Sequence, residues 1–178
     1  GMAYTIPNMG YGHSFQVNPI DHAMTLAAIA NGGVLLEPRV LLDQPPASRG
    51  RIFSEDSTRL VRAAMHAQAM YGKRGEFLKH RELMQMCSKS GTAQIDYGPD
   101  NGKYYSLFTA FGPYEDPEIL VLVIATGTEK ISDDNGDGHF GIRVCGEAAD
   151  AILYRALLER GLAQEEEPQE GEWIDASA

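Results

Sequence analysis

The chain has 178 residues, of which 43% are hydrophobic and 22% are charged, as expected for one globular domain with its own core. Its net charge of −10 argues against a nucleic-acid partner, because binding phosphates needs a basic face. No apolar run approaches the roughly 20 residues that a membrane-spanning helix needs, and no signal peptide opens the chain.

Three stretches have helical patterns. The first, PIDHAMTLAAIA after Asn18, has a good N-cap, a proline in its first turn and a stop signal at Asn31-Gly32-Gly33. It is apolar nearly all round, which predicts a buried helix. Further helices, each with one apolar face, are expected from about 54 to 71 and from about 143 to 160. Between the first two, residues 34–42 predict two short extended pieces and residues 43–51 a loop.

Three extended segments lie between the second and third helices, at residues 83–95, 104–111 and 119–126. Loops containing Gly, Pro and Asp join them, which predicts two successive hairpins and therefore an antiparallel meander. The fold class is α+β, with an antiparallel sheet, three strands of it in this chain, flanked by helices.

The two ends of the chain differ in composition from this folded part. Residues 1–17 are rich in Gly, Tyr and Asn and are predicted to be irregular, whereas residues 18–162 form the domain. Residues 163–178 are predicted to be a disordered tail, because six acids and no basic residue follow from Gln164 onward. Removing those six acids from the total of −10 leaves −4 for the rest. Trp173-Ile174 in the tail is either a docking motif or, the favoured interpretation, a chance pair.

The heptapeptide SKSGTAQ, residues 88–94, is the strongest chemical candidate. Alternate side chains of a strand share a face, so Lys89 and Gly91 point one way and Ser90 and Thr92 the other, unless the strand twists or bulges at Gly91. Glycine here permits a ligand to approach the backbone closely. On its own, however, K-S-G-T is also typical of a solvated strand edge.

The order of these blocks resembles the C-terminal half of the transpeptidase domain of penicillin-binding proteins, over roughly residues 8–162. KSGTAQ matches that family's third motif, K-[ST]-G-T, often followed by A-Q. GYGHSFQVNPIDHAMTLAAIANGG and AFGPYEDPEILVLVIATG resemble the family's neighbouring segments. The resemblance implies part of a transpeptidase or serine β-lactamase-like fold. It also implies a parent peptidoglycan D,D-transpeptidase that transfers acyl groups from D-Ala-D-Ala stem peptides through a serine ester.

The resemblance assigns the motif residues their roles. Lys89 would supply positive charge for the substrate's terminal carboxylate and for proton transfer. Ser90 and Thr92 would offer their hydroxyls to the same carboxylate. Gly91 completes the substrate-binding set. The backbone amide of Thr92 would form half of an oxyanion hole, a contribution worth ~3 kcal/mol in the transition state. Stem peptides and β-lactams are the implied ligands, and the parent would be anchored to the cytoplasmic membrane and act outside it.

The family's nucleophile motif is missing from this chain. In the family the serine lies in S-x-x-K, supported by S-x-N; here no serine has Lys three positions later or Asn two positions later. Both motifs normally precede the segment that begins this chain. We therefore expect the chain to be inactive alone and to need the N-terminal part of the domain as its partner. Two alternatives stay open: a non-catalytic interaction module, and a penicillin-recognising hydrolase or sensor.

No metal or organic cofactor is expected. Asp133, Asn135, Asp137 and Gly138 match the first half of a calcium loop, but Val144 occupies the twelfth position, where a bidentate Glu is needed. A solvated loop is therefore favoured. The histidines lack paired ligand spacing, which argues against zinc; they are His13, His22, His66, His80 and His139.

Two further expectations concern the cysteines and the last strand. Cys87 and Cys145 are too few for a disulfide scaffold and are predicted to be two buried thiols rather than a bridge. In the family, the strand at 119–126 pairs with a strand from the absent N-terminal part. Because a long apolar edge recruits another chain, the sequence predicts self-association through this strand, or its covering by residues 1–18.

Overall fold

The computed structural model describes Pro7, Met9 and residues 16–41, 43–95, 98–130 and 138–166. Strands β3, β4 and β5 form one antiparallel sheet in the order β3-β4-β5, and β1 and β2 form a separate antiparallel pair. The α+β meander is therefore confirmed. In chain order the elements are α1 (Pro19–Ala30), β1 (Val34–Leu36), β2 (Ser48–Arg51), α2 (Glu55–Tyr71), a short 3-10 helix (Gly75–Phe77), β3 (Cys87–Gln94), β4 (Tyr104–Gly112), β5 (Ile119–Thr128) and α3 (Gly141–Leu158).

The first two helices begin at their predicted caps. The Asn18 side chain accepts a hydrogen bond from the Ile20 amide at 2.8 Å, and the Ser54 hydroxyl accepts one from the Ser57 amide at 3.2 Å. The third helix begins at Gly141, two residues earlier than predicted, and no side chain of its own caps it.

Helices pack against both faces of the three-stranded sheet, and they leave part of one face exposed. Phe108 and Ala110 of β4 pack against α3 in the main core cluster. On the opposite face, Cys87 and Phe111 pack against α1 and α2 in a smaller cluster. Both cysteines are buried and unbridged, as predicted. No helix in the described ranges has the length and apolar character needed to cross a membrane.

The prediction was wrong for two strands. β3 begins at Cys87 instead of residue 83, because the residues before it form hydrogen-bonded turns and Gln85 has a φ of 46°. β2 lies inside the predicted loop, and the predicted second extended piece near Val40 is not a strand. All four residues of β2 are exposed, so no hydrophobic pattern marks it; it exists because β1 pairs with it.

The α1 helix is less buried than its apolar sequence predicts. Only Ala28 and Ala30 are buried, and Ile20 is 57% exposed. The described residues therefore leave much of its apolar surface without a cover.

Residues just after Leu162 contact the rest of the fold. Ala163 packs against the main core, the Gln164 amide donates to the carbonyl of Leu83 at 2.9 Å, and the Glu166 amide donates to the Tyr154 hydroxyl at 3.1 Å. The rest of the predicted tail, with Trp173, lies outside the described residues, as does most of the segment 1–17.

A buried carboxylate fastens this C-terminal part to the turn before β3. Asp150 of α3 accepts hydrogen bonds from the His80 amide, at 3.3 Å to each oxygen, and lies 2.6 Å from the His80 Nδ1 atom. The opposite ring nitrogen lies 2.9 Å from a Glu166 oxygen, and Tyr154 stacks on the ring. Burial raises the pKa of Asp150 above its ordinary value, and the hydrogen bonds from His80 act in the opposite direction.

We predict that Asp150→Ala lowers the free energy of unfolding by about 2–3 kcal/mol, because the partly buried amide and ring nitrogen of His80 lose their acceptor. Glu159→Ala is the control, since it removes only an exposed pair with Arg155 and should cost less than about 0.5 kcal/mol. Urea unfolding measures both. Equal losses in the two variants would show that the buried carboxylate has no special role.

Candidate active site

The KSGT motif lies at the edge of the main sheet. β3 pairs only with β4 within the described residues, and the register runs without interruption through the motif, with Lys89 opposite Thr109 and Gly91 opposite Leu107. Lys89 and Gly91 therefore lie on the same face of the sheet as Cys87, whereas Ser90 and Thr92 lie on the face that packs against α3.

The backbone of the motif strand presents every second amide to the open edge. The Ile95 amide donates to the Lys103 carbonyl just before β4 at 2.8 Å, so the backbone N–H group of Ile95 points toward the β4 side. In an antiparallel strand, the backbone groups of successive residues point alternately toward the paired strand and away from it. The Thr92 amide, three residues earlier, therefore points away from β4, toward the open edge. The carbonyl of Met86, just before β3, lies 2.9 Å from the His66 Nδ1 atom of α2.

Lys89 places a positive charge at the same edge. Its side chain is exposed, and its ammonium group donates to the backbone carbonyl of Ser90. Across the described ranges, no carboxylate forms an ion pair with it. The charge is thus available to an anionic ligand lying along the strand.

The remaining motif residues are held by close contacts. The Thr92 hydroxyl accepts a hydrogen bond from the Gly141 amide at 3.0 Å. A Cβ atom on Gly91 would lie 3.0 Å from the Leu107 side chain, so a glycine at this position lets Leu107 pack closely against the strand. The motif residues Lys89, Ser90, Gly91 and Thr92 thus form one wall at the edge of β3, with an exposed positive charge and an outward amide.

The wall has no activated nucleophile in the described structure. Burial raises the pKa of the Cys87 thiol to about 12, against a smaller opposing effect of Arg62, so the thiolate is not available at neutral pH. No described histidine or carboxylate forms a hydrogen bond with the Ser90 hydroxyl. Acyl transfer would need a nucleophile from elsewhere.

The other sequence candidates do not join this site. Asp133, Asn135 and Asp137 of the calcium-like loop lie outside the described residues, and Val144 is part of α3. Within the described part of the chain, no three His, Cys, Asp or Glu side chains come close enough to hold a metal ion. Of the histidines, His66 stacks on Tyr114.

Sequence reasoning missed the role of the start of α3. Gly141 approaches the sheet so closely that a Cβ atom there would lie 2.2 Å from the Leu107 carbonyl oxygen and 2.5 Å from that of Gly91. Ser106, fully buried on β4, donates to the carbonyl of His139 at 2.7 Å. The only sequence signal was the stretch GHFG before the helix, which resembles a glycine-containing step in the family.

Known proteins share both the sequence pattern and this fold. The family profile described as "Penicillin binding protein transpeptidase domain" matches residues 4–153. A probable peptidoglycan D,D-transpeptidase, PbpC of Pseudomonas aeruginosa, is 26% identical over 136 residues, which are 75% of this chain and 23% of that protein. The peptidoglycan D,D-transpeptidase PbpA of Mycolicibacterium smegmatis is 23% identical over 133 residues, 67% of this chain and 26% of that protein.

The apo transpeptidase domain of Burkholderia pseudomallei penicillin-binding protein 3 has the same fold, with a TM-score of 0.67 and 27% identity. The match covers 89% of this chain and 47% of that structure. The chain thus spans about a quarter of the length of these curated relatives and about half of the solved domain. It belongs to the penicillin-binding protein transpeptidase domain family.

Proposed function

We propose that this chain supplies one wall of the active site of a peptidoglycan D,D-transpeptidase. The observation that carries the proposal is the outer edge of β3, which pairs with no strand of the described residues and carries both the exposed Lys89 and the outward amide of Thr92. The family membership and the D,D-transpeptidase relatives support the reaction class.

The chemistry of acyl transfer fits these groups. A D-Ala-D-Ala stem peptide ends in a carboxylate, which Lys89 attracts and the Ser90 and Thr92 hydroxyls bind. When a serine attacks the scissile carbonyl, negative charge develops on its oxygen, and the Thr92 amide donates to it. Such a preorganised donor is worth ~3 kcal/mol in the transition state. A β-lactam, which also carries a carboxylate and an acyl carbon, occupies the same wall.

The nucleophile and its lysine come from the other half of the domain, in this proposal. Two exposed apolar surfaces support a missing partner. One is the uncovered side of α1; the other is the sheet face beside Lys89, where Leu107 and Leu122 are partly exposed and Ile124 is 39% exposed. The assembled protein would act outside the cytoplasmic membrane, to which it would be anchored.

The test is the rate of penicillin acylation in a domain that contains both halves. We expect Lys89→Ala to lower this rate tenfold or more, the effect of one lost charge-assisted contact, on the order of 1.4 kcal/mol. Lys79→Ala removes another exposed lysine outside the motif and should leave the rate unchanged. If Lys89→Ala acylates as fast as the unmodified domain, KSGT is not part of the site, and a non-catalytic module becomes the better explanation.

A further inference from the structure

Two hydrogen bonds tie the start of α3 to the main sheet. The Gly141 amide donates to the Thr92 hydroxyl of β3 at 3.0 Å, and the His139 carbonyl accepts from the Ser106 hydroxyl of β4 at 2.7 Å. A carbonyl oxygen only accepts, so Ser106 is the donor in its bond to His139; the Ser106 oxygen also lies 3.0 Å from the Thr128 hydroxyl, which donates to the Tyr104 carbonyl. The first turn of the helix is therefore held at two points, one on each of two paired strands.

The bond to Thr92 acts as a helix cap supplied by another element. An α-helix leaves its first amides without intrahelical partners, and a side chain near the N-cap normally accepts from one of them. The N-cap residue here is Phe140, which has no oxygen in its side chain, and no side-chain cap bond forms. Thr92 takes that place from β3.

This arrangement decides what the Thr92 hydroxyl can offer to a ligand. Because its oxygen accepts from Gly141, its own proton takes no part in that bond and is available to donate. The 18-residue helix also places the positive end of its dipole behind this hydroxyl. A hydrogen bond received by a hydroxyl strengthens the one that it donates. The group is thus prepared for an acceptor, and a carboxylate is the strongest acceptor among the groups of a stem peptide.

We propose that the first turn of α3 orients the Thr92 hydroxyl as a donor toward the substrate carboxylate, and that Ser106 is the positioning residue that fixes this turn. The identity of the acceptor rests on the proposed function. The coupling between Ser106, the start of α3 and Thr92 is independent of the proposed function. It can be measured in this chain by itself.

The first measurement is hydrogen exchange of the Gly141 amide by NMR, in this chain. Thr92→Val removes the acceptor at nearly constant shape and should speed exchange about tenfold, the scale of one hydrogen bond. Thr92→Ser restores a hydroxyl and should recover most of the protection. Ser106→Ala should also speed exchange at Gly141, about threefold or more, although the Ser106 hydroxyl contacts the His139 carbonyl and the Thr128 hydroxyl rather than Gly141 itself. The control is Thr25→Val, the same change at an exposed site on α1.

The second measurement is penicillin acylation in the domain with both halves. Ser106→Ala and Thr92→Val should weaken the binding step about threefold or more and change the limiting acylation rate less, because the contact is to a carboxylate that does not react. Thr92→Ser should rescue the binding step. If Lys89→Ala slows acylation but Ser106→Ala and Thr92→Val do not, the positioning role is wrong and the proposed function stands. If Lys89→Ala has no effect either, the proposed function fails. Unchanged Gly141 exchange in Thr92→Val and Ser106→Ala overturns the positioning role whatever acylation shows.

Discussion

Gly141→Ala is expected to destabilise the chain by more than about 3 kcal/mol, a large share of the ~5–15 kcal/mol that holds a domain folded. The new Cβ atom would lie 2.2 Å from the Leu107 carbonyl oxygen and 2.5 Å from that of Gly91. Both oxygens belong to the backbone of paired strands and cannot rotate away as a side chain would. Urea unfolding followed by circular dichroism gives the change in the free energy of unfolding.

Gly146→Ala is the matched control for this prediction. Gly146 is also buried in α3, but the nearest atom to its new Cβ would be a side-chain carbon of Ile142 at 3.2 Å. Alanine also favours a helix over glycine by up to about 1 kcal/mol, so this variant should remain within about 1 kcal/mol of the original chain. Equal stability of both variants would mean that α3 does not begin against the backbone of β3 and β4.

The outer edge of β5 is expected to be covered in solution, and we propose that a second copy of the chain covers it. Within the described residues, β5 is the last strand of its sheet, and its ten residues, Ile119–Thr128, are mainly apolar. Such an edge recruits another strand. Light scattering should show an associated species, with the β5 amides protected from hydrogen exchange. A monomer with protected amides would favour residues 1–18 as the cover, and a monomer whose β5 amides exchange freely would refute the proposal.

A charge placed on β5 should dissociate the associated species. Ile124 is 39% exposed, so Ile124→Lys should be tolerated by the fold, while a lysine in an edge strand discourages pairing with another strand. Ile152→Lys is the control, because Ile152 is 53% exposed and belongs to α3 rather than to a strand. Association that survives Ile124→Lys, or that both variants abolish, would contradict pairing through β5.

Much of the fold could be predicted because its signals are local. Asn18 and Ser54 mark helix starts through their own side chains, and the run at 119–126 is apolar enough to be recognised as a strand. KSGT lies within a stretch of extended pattern, which likewise predicts a strand. Each of these features depends on residues adjacent in sequence.

The features that could not be predicted depend on residues distant in sequence. β2 has no hydrophobic pattern and exists through pairing with β1. The cap of α3 comes from Thr92, 49 positions earlier than Gly141. The buried pair of His80 and Asp150 spans 70 positions. Propensity and periodicity describe residues that are close in sequence, so they cannot predict such contacts.

We propose that residues 1–178 carry the carboxylate- and oxyanion-binding wall of a transpeptidase site and that the nucleophile lies outside them. Intact-mass spectrometry after incubation with a fluorescent penicillin is the test of this division. We expect no acyl adduct on this chain alone. When the other half of the domain is present, we expect one adduct, carried by a serine of that half. A stoichiometric adduct mapped to any serine within residues 1–178 would refute the proposed division of the site.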